Sequence, residues 1–337
     1  MSARLLRLAL LAQALLCLLV AYAAMHAFGV ASGWLALAIG AAVVLLARLA
    51  ITANNFASSA RHSSATPAPH QLGARAGARL FIEEFIATLS FSSWNMARAR
   101  PGQRIHAGSA ALPVLLVHGY GCNGGYWDLL RPRLDAARIS HAWIDLEPLL
   151  ADIDSYVPAL AGAVDALCRA SGAGAVIIVS HSMGGLAARA YLRQCGGADA
   201  ARVAHLITLG TPHHGTCLAK QAPGQNALQM RWSGAPGQEP AQVQTQARAD
   251  TWLGALAASE SAHTRARITS IFSHHDNIVA PQTSARLPGA SNIELGGVGH
   301  VALGRNARVL ACVMAHIAAV PAPFVASETT SSARRHG

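Results

Sequence analysis

The stretch of residues 176–185 constrains the fold of this chain more than any other. Its first four residues are apolar and β-branched, which is typical of a buried strand. A helical pattern follows at once over 186–193, so only a sharp turn separates the two elements. Ser182 stands in this turn, and the small residues Ser180 and Gly184 lie two positions to either side of it. Such a unit predicts layers of strands and helices.

A strand-to-helix turn of this kind can lift a serine clear of a sheet as a nucleophile. The usual pattern is G-x-S-x-G, and here Ser180 replaces the first glycine. Because serine is small, we expect it to fit this crowded position. Short Ser/Gly motifs also arise by chance, so an ordinary turn is the alternative. The role of Ser182 as nucleophile therefore depends on partners elsewhere in the chain.

Strand and helix patterns alternate along the main domain. Apolar or β-branched runs predict strands at 112–117, 141–146, 176–179, 203–209, 267–272 and 292–295. Helical periodicity predicts helices at 127–139, 156–170, 186–193 and 305–319. This alternation indicates an α/β fold with a mostly parallel sheet and helices on both faces. The segment 217–266 breaks the alternation and is predicted to be a lid inserted over a pocket.

Composition limits the classes of partner. The 337 residues are 52% hydrophobic and 12% charged, more apolar than a typical soluble domain. The net charge of +10 comes almost wholly from scattered arginines, without a basic stripe interleaved with aromatics. We therefore expect no nucleic-acid partner, and a basic protein at an anionic membrane surface fits better. The six cysteines show no C-x-x-C or zinc-like spacing and are read as free thiols.

The N-terminal segment carries the apolar excess. From residue 8 to residue 47 the only ionisable side chains are Cys17, Tyr22 and His26. One helix of that length would measure about 60 Å, twice the roughly 30 Å hydrocarbon core of a bilayer. Two spans, 8–24 and 34–51, joined by a glycine-containing turn fit a membrane better. The sequence thus predicts a transmembrane helical hairpin.

A cleaved signal peptide is the alternative for the first span, because Arg4 and Arg7 precede an apolar run that ends in Ala-Tyr-Ala. The run is long for a signal peptide and a second one follows, which favours the hairpin. Arg48 lies in the last turn of the second span and Arg61 follows it, whereas the connecting loop has neither arginine nor lysine. By the positive-inside rule we expect both ends of the hairpin, and the main domain, in the cytoplasm.

These patterns divide the chain into four parts. We predict a hairpin anchor at 1–54, a linker with an amphipathic helix at 55–110, the α/β domain at 111–320 and a disordered tail at 321–337. Apolar positions 81, 82, 85, 86 and 89 mark one face of the amphipathic helix. That face could pack on the main domain or lie on the membrane interface, and the sequence leaves both open.

A serine nucleophile needs a base and a carboxylate that orients it, and the chain offers both after Ser182. Asp276 lies just past one predicted strand, and His300 lies in a glycine-rich loop just past the next. The order Ser, acid, His is the order expected on this fold. The backbone N–H groups of Met183 and Tyr120 are the predicted donors of the oxyanion hole.

Other acids and histidines fit this triad less well. The candidates are Asp199, Asp250, Glu294, His274, His275 and His316. The three acids follow a helix, fall in the predicted lid and lie inside a strand, respectively. Two of the histidines are sequence neighbours of Asp276, and adjacent residues rarely form the required pair. The third lies in the middle of a helix.

Together the motifs resemble those of the bacterial triacylglycerol lipases and related esterases of the α/β-hydrolase superfamily, over residues 112–318. The resemblance rests on Val117-His118-Gly119-Tyr120, Ser180-His181-Ser182-Met183-Gly184-Gly185, Thr208-Leu209-Gly210-Thr211-Pro212-His213-His214-Gly215-Thr216, Asn226-Ala227-Leu228-Gln229-Met230, Asp276 before Val279-Ala280-Pro281, and Gly297-Val298-Gly299-His300. It implies the α/β-hydrolase fold and acyl transfer to Ser182, with His300 as base and Asp276 as its orienting acid.

The resemblance implies no cofactor. Some relatives carry calcium and a disulfide near the acid and histidine loops, but we find no cysteine pair or carboxylate pair there. His213 and His214 belong to a segment that is structural and lines the pocket in relatives, so no metal is predicted.

The leading hypothesis is a serine hydrolase of carboxylic esters, most of all lipid esters, anchored in the bacterial inner membrane. Lysophospholipase, thioesterase and acyltransferase activities use the same triad and stay open. From a different class, a non-catalytic membrane interaction module that kept the fold is the alternative. The natural substrate, the acyl-chain length and the oligomeric state are not set by the sequence.

Overall fold

The computed structural model describes residues 3–194, 202–234 and 251–321. It begins with two long helices, α1 (Ala3–His26) and α2 (Gly33–Ala60), both apolar and long enough to cross a membrane. They pack closely, because a methyl group at Gly40 of α2 would collide with the backbone carbonyl of Cys17. Most of their apolar side chains face outward: Leu15 is 66% exposed and Leu19 is 64% exposed. This pair is compatible with the predicted transmembrane hairpin.

Helix α2 is longer than the sequence predicts. The predicted span ends at residue 51 and a linker follows, whereas the helix continues to Ala60. Its last turns leave the apolar stretch and pack on protein instead: Ser58 and Ser59 are buried, and the ring of Phe56 lies 5.6 Å from that of Phe81. Tertiary contact therefore stabilises helix where the predicted boundary at 54 places a linker.

The predicted amphipathic helix is α3 (Ala74–Ser90), which a π-helical turn and a short helix extend to Arg98. Leu80, Glu84 and Ala87 are buried, while Ile82 on the opposite side is 55% exposed. The buried face packs against the α/β domain, so much of the predicted 55–110 linker is folded onto that domain. Burial of a carboxylate on this face is unusual, since acids are rarely buried without partners.

Seven strands form one sheet in the order β1-β3-β2-β4-β5-β6-β7. Their bounds are β1 Gly102–Arg104, β2 Val114–Val117, β3 His141–Ile144, β4 Val176–His181, β5 Val203–Leu209, β6 Ile268–Ser273 and β7 Ser291–Leu295. All neighbours pair in parallel except β1, an antiparallel edge strand beside β3. The predicted α/β class with a mostly parallel sheet is confirmed.

Helices cover both faces of this sheet. In the described residues, the remaining α-helices are α4 Arg131–Ala136, α5 Val157–Ser171, α6 Met183–Gln194, α7 Gln225–Gln229, α8 Trp252–Ala258, α9 Ala262–Ala266 and α10 Ala307–Ala319. The side chains of β2 alternate between the two layers: Leu115 and Val117 pack with α5 and α6, whereas Val114 and Leu116 pack with α4 and α10. Strands buried on both faces explain the continuous apolar runs in the sequence.

Two predicted elements differ in detail. The helix predicted at 127–139 is a 3₁₀ turn, Gly124–Trp127, followed by the short α4. Pro132 stands in the first turn of α4, where a missing N–H is tolerated, and this position sets where the helix begins. The predicted lid, 217–266, contains α7, α8 and α9, but residues 235–250 lie outside the described ranges. The predicted tail lies outside them beyond residue 321.

Candidate active site

The site is built on the turn between β4 and α6. Ser182 has a backbone φ of +55°, in the left-handed region that non-glycine residues rarely adopt. Neighbouring glycines make room for this turn. A methyl group at Gly119 would lie 2.7 Å from Cβ of Ser182, and one at Gly184 would lie 2.8 Å from the carbonyl oxygen of Val117. The side chain of Ser182 therefore projects from a tight, strained turn at the carboxyl end of a central strand.

Ser180 fits the position where the usual motif has glycine. Its side chain is fully buried, and its Oγ donates a hydrogen bond to the carbonyl of Ile207 on β5 over 3.3 Å. The hydroxyl is thus satisfied within the sheet, and the substitution leaves no unpaired polar group.

The structure brings Ser182, His300 and Asp276 into one hydrogen-bonded line. The Oγ of Ser182 lies 3.0 Å from Nε2 of His300, and Nδ1 of His300 lies 2.7 Å from Oδ2 of Asp276. All three side chains come from loops at the carboxyl edge of the sheet, and each residue is at least 93% buried. With the Nδ1 proton on the imidazole, Asp276 accepts it and Nε2 is left free to accept the proton of Ser182.

Backbone and side-chain bonds hold the acid loop in place. The second oxygen of Asp276 accepts the N–H groups of Ile278 at 2.8 Å and Val279 at 2.7 Å. The side-chain oxygen of Asn277 accepts the N–H of His300 at 2.9 Å, which ties the acid loop to the histidine loop. The carboxylate is therefore fixed before any substrate binds.

The surroundings of His300 act on its pKa in opposite directions. Burial lowers the pKa, but the charge of Asp276, its hydrogen bond and the charge of Glu84 outweigh burial and leave the pKa above its usual value. The arrangement favours a proton on His300 once one is transferred to it, as a general base requires.

The loop after β2 lies against this line. His118 is fully buried, and its Nδ1 donates to the carbonyl of Gly119 while its Nε2 accepts the N–H of Leu146 at 2.9 Å. Burial lowers the pKa of His118 to about 3, so the ring is neutral and can make both bonds. This ring fixes the backbone that leads to Tyr120. The N–H of Met183 is the first of α6 and has no acceptor within the helix.

The remaining histidines of the motifs make structural contacts. His213 lies between Arg189 and Thr208, and His214 bonds to the carbonyl of Arg286 at 3.0 Å. His274 pairs with Glu294, His275 accepts the N–H of Gly297, and His316 contacts the carbonyl of Cys312 within its own helix. Each of these histidines contacts a partner other than Ser182. His300 is the histidine that contacts Ser182 in the described residues.

Within the described residues, two groups gather three side chains of the types that bind metals. They are His70 with His274 and Glu294, and His106 with Asp135 and His141. In each group a histidine and an arginine already pair with the carboxylate. Arg286 contacts Glu294, and Arg104 lies 3.3 Å from Asp135. These are ion-pair networks, and we assign no metal to either.

A cavity of about 260 Å³ opens beside Ser182. Its walls are mostly apolar and come from the loop after β5, the start of the predicted lid and the acid loop; the residues besides Ser182 are Asn55, Tyr120, Pro212, Thr216, Leu218, Ala219, Gln221, Ala222, Met230, Ile278 and Val279. An apolar cleft with few polar groups is typical of a site for a hydrophobic ligand. One wall residue, Asn55, belongs to α2.

Three residues that touch this site were not found from the sequence. Ser59 of α2 donates to the carbonyl of Asp276 at 2.9 Å, and Gln282 donates to the same carbonyl at 2.9 Å. Glu84 of α3 accepts the N–H groups of the two residues that follow His300. Their residue types are ordinary, and Ser59 and Glu84 lie more than two hundred residues from their partners, so no local motif marks them.

Comparison with known proteins gives one family match and several similar solved structures. A family model described as palmitoyl protein thioesterase matches residues 113–275, a range that contains Ser182 and ends just before Asp276. A Bacillus licheniformis lipase in its mature form is 19% identical, with 65% of this chain and 97% of that chain covered and a TM-score of 0.50. Aspergillus fumigatus lipase B is 20% identical, with 66% of this chain covered and a TM-score of 0.50. The chain spans 57% of the length of that second lipase.

The two solved structures are 19% and 20% identical to this chain, so they show a shared fold alone. The family model adds a match in sequence over residues 113–275. The chain has the α/β-hydrolase fold, and the palmitoyl protein thioesterase model matches just under half of its residues. These likenesses support a hydrolase of the lipase, esterase and thioesterase type.

Proposed function

We propose that the protein is a serine hydrolase that cleaves carboxylic esters of lipids through an acyl-enzyme on Ser182. The observation that supports this proposal is the buried line of hydrogen bonds from Ser182 through His300 to Asp276. The contacts of 3.0 and 2.7 Å are within hydrogen-bonding range without any rearrangement.

Acylation begins when Oγ of Ser182 attacks the ester carbonyl and its proton passes to Nε2 of His300. Asp276 keeps the proton on Nδ1 of His300 and stabilises the imidazolium that forms. The imidazolium then gives its new proton to the leaving alcohol as the C–O bond breaks. Deacylation repeats these steps with water in place of serine, and releases the acid.

The negative charge on the substrate oxygen needs donors that are already in place. We assign this role to the backbone N–H groups of Met183 and Tyr120, as the sequence predicts. Two features support the assignment. The N–H of Met183 opens α6, and the closeness of Gly119 to Ser182 brings the loop that carries Tyr120 against the nucleophile.

The position of the cavity supports a lipid substrate. Asn55 of α2 lines the cavity, four residues after the predicted end of the second membrane span. At 1.5 Å per residue this is about 6 Å along the helix, so the catalytic cavity opens near the level at which α2 would leave the hydrocarbon. An acyl ester resident in the bilayer could reach Ser182 without crossing open water.

This part of the proposal has a matched pair of variants. Asn55→Trp should fill the cavity and lower kcat/KM for long-chain esters in proteoliposomes. Asn54→Trp, on the exposed side of the same turn, should leave it unchanged. Equal rates for the two variants on long-chain esters would count against substrate entry beside α2.

The test of the nucleophile uses Ser182→Ala. We expect it to abolish hydrolysis of short and medium p-nitrophenyl esters and to abolish covalent labelling by a fluorophosphonate, which loses fluoride when the serine oxygen attacks phosphorus. Ser171→Ala is the control, because Ser171 ends α5 and bonds only to its own helix and the turn that follows. Retained turnover or labelling in Ser182→Ala would refute the proposal.

A second candidate is hydrolysis of thioesters. The family model that matches residues 113–275 describes palmitoyl protein thioesterases, and attack on a thioester needs the same residues. The kcat/KM values for a palmitoyl thioester and the matching oxygen ester distinguish the two. A strong preference for the thioester would replace the leading proposal while keeping its mechanism.

We further propose that the hairpin anchors the enzyme in the bacterial inner membrane with the hydrolase domain in the cytoplasm. The arginines at the outer ends of both spans support this orientation. Packing also supports a retained first helix, since Leu6 is 4% exposed within the core and Arg7 donates to the carbonyl of Ala97 at 2.8 Å. A C-terminal reporter that is active only in the periplasm should stay silent, and activity there would refute the orientation.

A further inference from the structure

We propose that Glu84, on a helix outside the α/β core, is a positioning residue for the catalytic histidine loop. This inference rests on the proposed role of His300 as the base. It concerns how that base is held and charged.

The contacts of Glu84 are specific to the residues that follow His300. Oε1 accepts the N–H of Val301 at 3.0 Å, and Oε2 accepts the N–H of Ala302 at 2.8 Å. These N–H groups open a 3₁₀ helix, Val301–Gly304, whose first residues have no acceptor within the helix. One carboxylate from α3 therefore caps the helix that begins at the catalytic histidine.

The loop is shaped to admit this carboxylate. A methyl group at Gly299 would lie 2.5 Å from Oε2 of Glu84 and 2.6 Å from its Cδ, closer than real carbon contacts allow. Glycine before His300 is thus explained by the approach of Glu84 rather than by backbone angle, because Gly299 is not among the glycines with positive φ. The glycine-rich sequence of the loop and the buried acid of α3 fit each other.

Charge explains why the residue is an acid. Glu84 is 1% exposed, and burial raises its pKa above the usual value; the bonds from Val301 and Ala302 and the charge of His300 offset part of this rise and favour the ionised form. A carboxylate next to His300 helps Asp276 stabilise the imidazolium that forms during acylation. A neutral side chain could accept the N–H groups of Val301 and Ala302 at a lower desolvation cost, so capping alone does not explain a buried acid.

Two further titratable groups near His300, His181 and Tyr126, are neutral. The ring of His181 lies beside that of His300, tilted by 47° with ring centroids 4.6 Å apart, and burial lowers the pKa of His181 well below its usual value. Tyr126 lies against His181, and burial raises the pKa of its hydroxyl well above the usual value. Among the described residues that act on the pKa of His300, Asp276 and Glu84 are therefore the two that bring negative charge.

The test compares Glu84→Gln, which keeps the shape but removes the charge, with Glu84→Asp, which keeps the charge. In Glu84→Gln we expect kcat to fall about ten-fold with KM unchanged, since one charge and one of two acceptors are lost. The acid limb of the pH profile should move to lower pH, because His300 loses a group that raises its pKa. Glu84→Asp should keep the wild-type position of that limb.

Glu83→Gln is the control, because Glu83 is the neighbouring acid on the same helix and pairs with the exposed Arg79. A purely structural role for Glu84 would lower the melting temperature and the active fraction without moving the pH profile, and would overturn the proposal. So would a Glu84→Gln enzyme with wild-type kcat and an unmoved acid limb.

A second measurement does not depend on turnover. In the Ser182→Ala background, the titration of His300 followed by NMR of the imidazole nitrogens should move to lower pH when Glu84→Gln is added. If Ser182→Ala retains activity, the proposed function fails. If only the titration of His300 is unmoved, the role of Glu84 fails and the proposed function stands.

Discussion

A buried ion pair behind the nucleophile offers a quantitative prediction. Arg189 of α6 makes a bidentate ion pair with Glu260: Nε lies 2.6 Å from Oε1 and Nη2 lies 2.8 Å from Oε2. The side chains are 0% and 2% exposed. Glu260 lies between α8 and α9, in the described part of the predicted lid, so this pair joins α6 to the lid. Among the described residues, removing the carboxylate of Glu260 leaves the buried guanidinium of Arg189 without solvent or an ion-pair partner.

We expect Glu260→Gln to cost about 3–5 kcal/mol of the free energy of unfolding, the range typical of a broken buried pair. For a domain of this size, roughly 10 °C should be lost from the melting temperature. The assay is thermal unfolding of the detergent-solubilised protein by near-UV circular dichroism. Arg265 also reaches Glu260, at 3.2 Å, but its 18% exposure lets water solvate it after the change.

A double variant isolates the pair itself. Arg189→Met with Glu260→Leu removes both charges, and it should recover most of the lost stability because apolar residues of similar volume replace such pairs at little cost. Melting of Glu260→Gln within about 2 °C of wild type would refute the reasoning. So would a double variant that is less stable than either single variant.

Three further predictions concern the active site. The kcat/KM for ester hydrolysis should rise with pH through the pKa of His300, because the neutral ring is the base. The surroundings raise the pKa of His300 above the usual histidine value of about 6.5, so a rise in kcat/KM centred well below that value would contradict the assignment. Asp276→Asn should lower kcat/KM about 10³- to 10⁴-fold in steady-state assays, since the asparagine no longer holds the required tautomer; a loss below ten-fold would contradict it. Gly184→Ala should lower the free energy of unfolding by about 3 kcal/mol or more in thermal unfolding, because its methyl group meets the carbonyl of Val117. The control is Gly162→Ala, which has open space around it and should leave the stability unchanged or slightly higher.

The sheet could be predicted from the sequence because most of its strands are short apolar runs buried on both faces. Strand β1 could not, since it has three residues, its side chains are largely exposed and it owes its place to antiparallel pairing with β3. Pairing of this kind depends on a partner some forty residues away along the chain, and no local periodicity marks it.

The positions of Ser182, Asp276 and His300 followed from residue order and from the ends of predicted strands. The contacts of Ser59 and Glu84 did not, because a serine near a membrane span and an acid on an amphipathic helix are common and uninformative. Their importance arises only when α2 and α3 fold back onto loops 217 or more residues later. Sequence spacing gives no measure of such distances in space.

The end of α2 illustrates a different limit. A boundary near residue 51 follows from the thickness of a bilayer, which is the right measure for the apolar stretch alone. The helix continues because the next turns bury Ser58 and Ser59 and bring Phe56 to Phe81. Bilayer thickness therefore sets where a span leaves the hydrocarbon, and packing sets where its helix ends.

The bond from Ser59 to the carbonyl of Asp276 has a practical consequence for anyone who prepares this enzyme. The last turns of α2 supply a wall of the cavity and a support for the acid loop, so α2 cannot be replaced by an unrelated helix without affecting the site. A version that begins after residue 54 would place Asn55 and Ser59 at a chain end, where the helix that positions both residues would fray. Truncated or chimeric versions should keep the helix intact through Ala60, because the residues that follow the apolar stretch also line the cavity and support the acid loop.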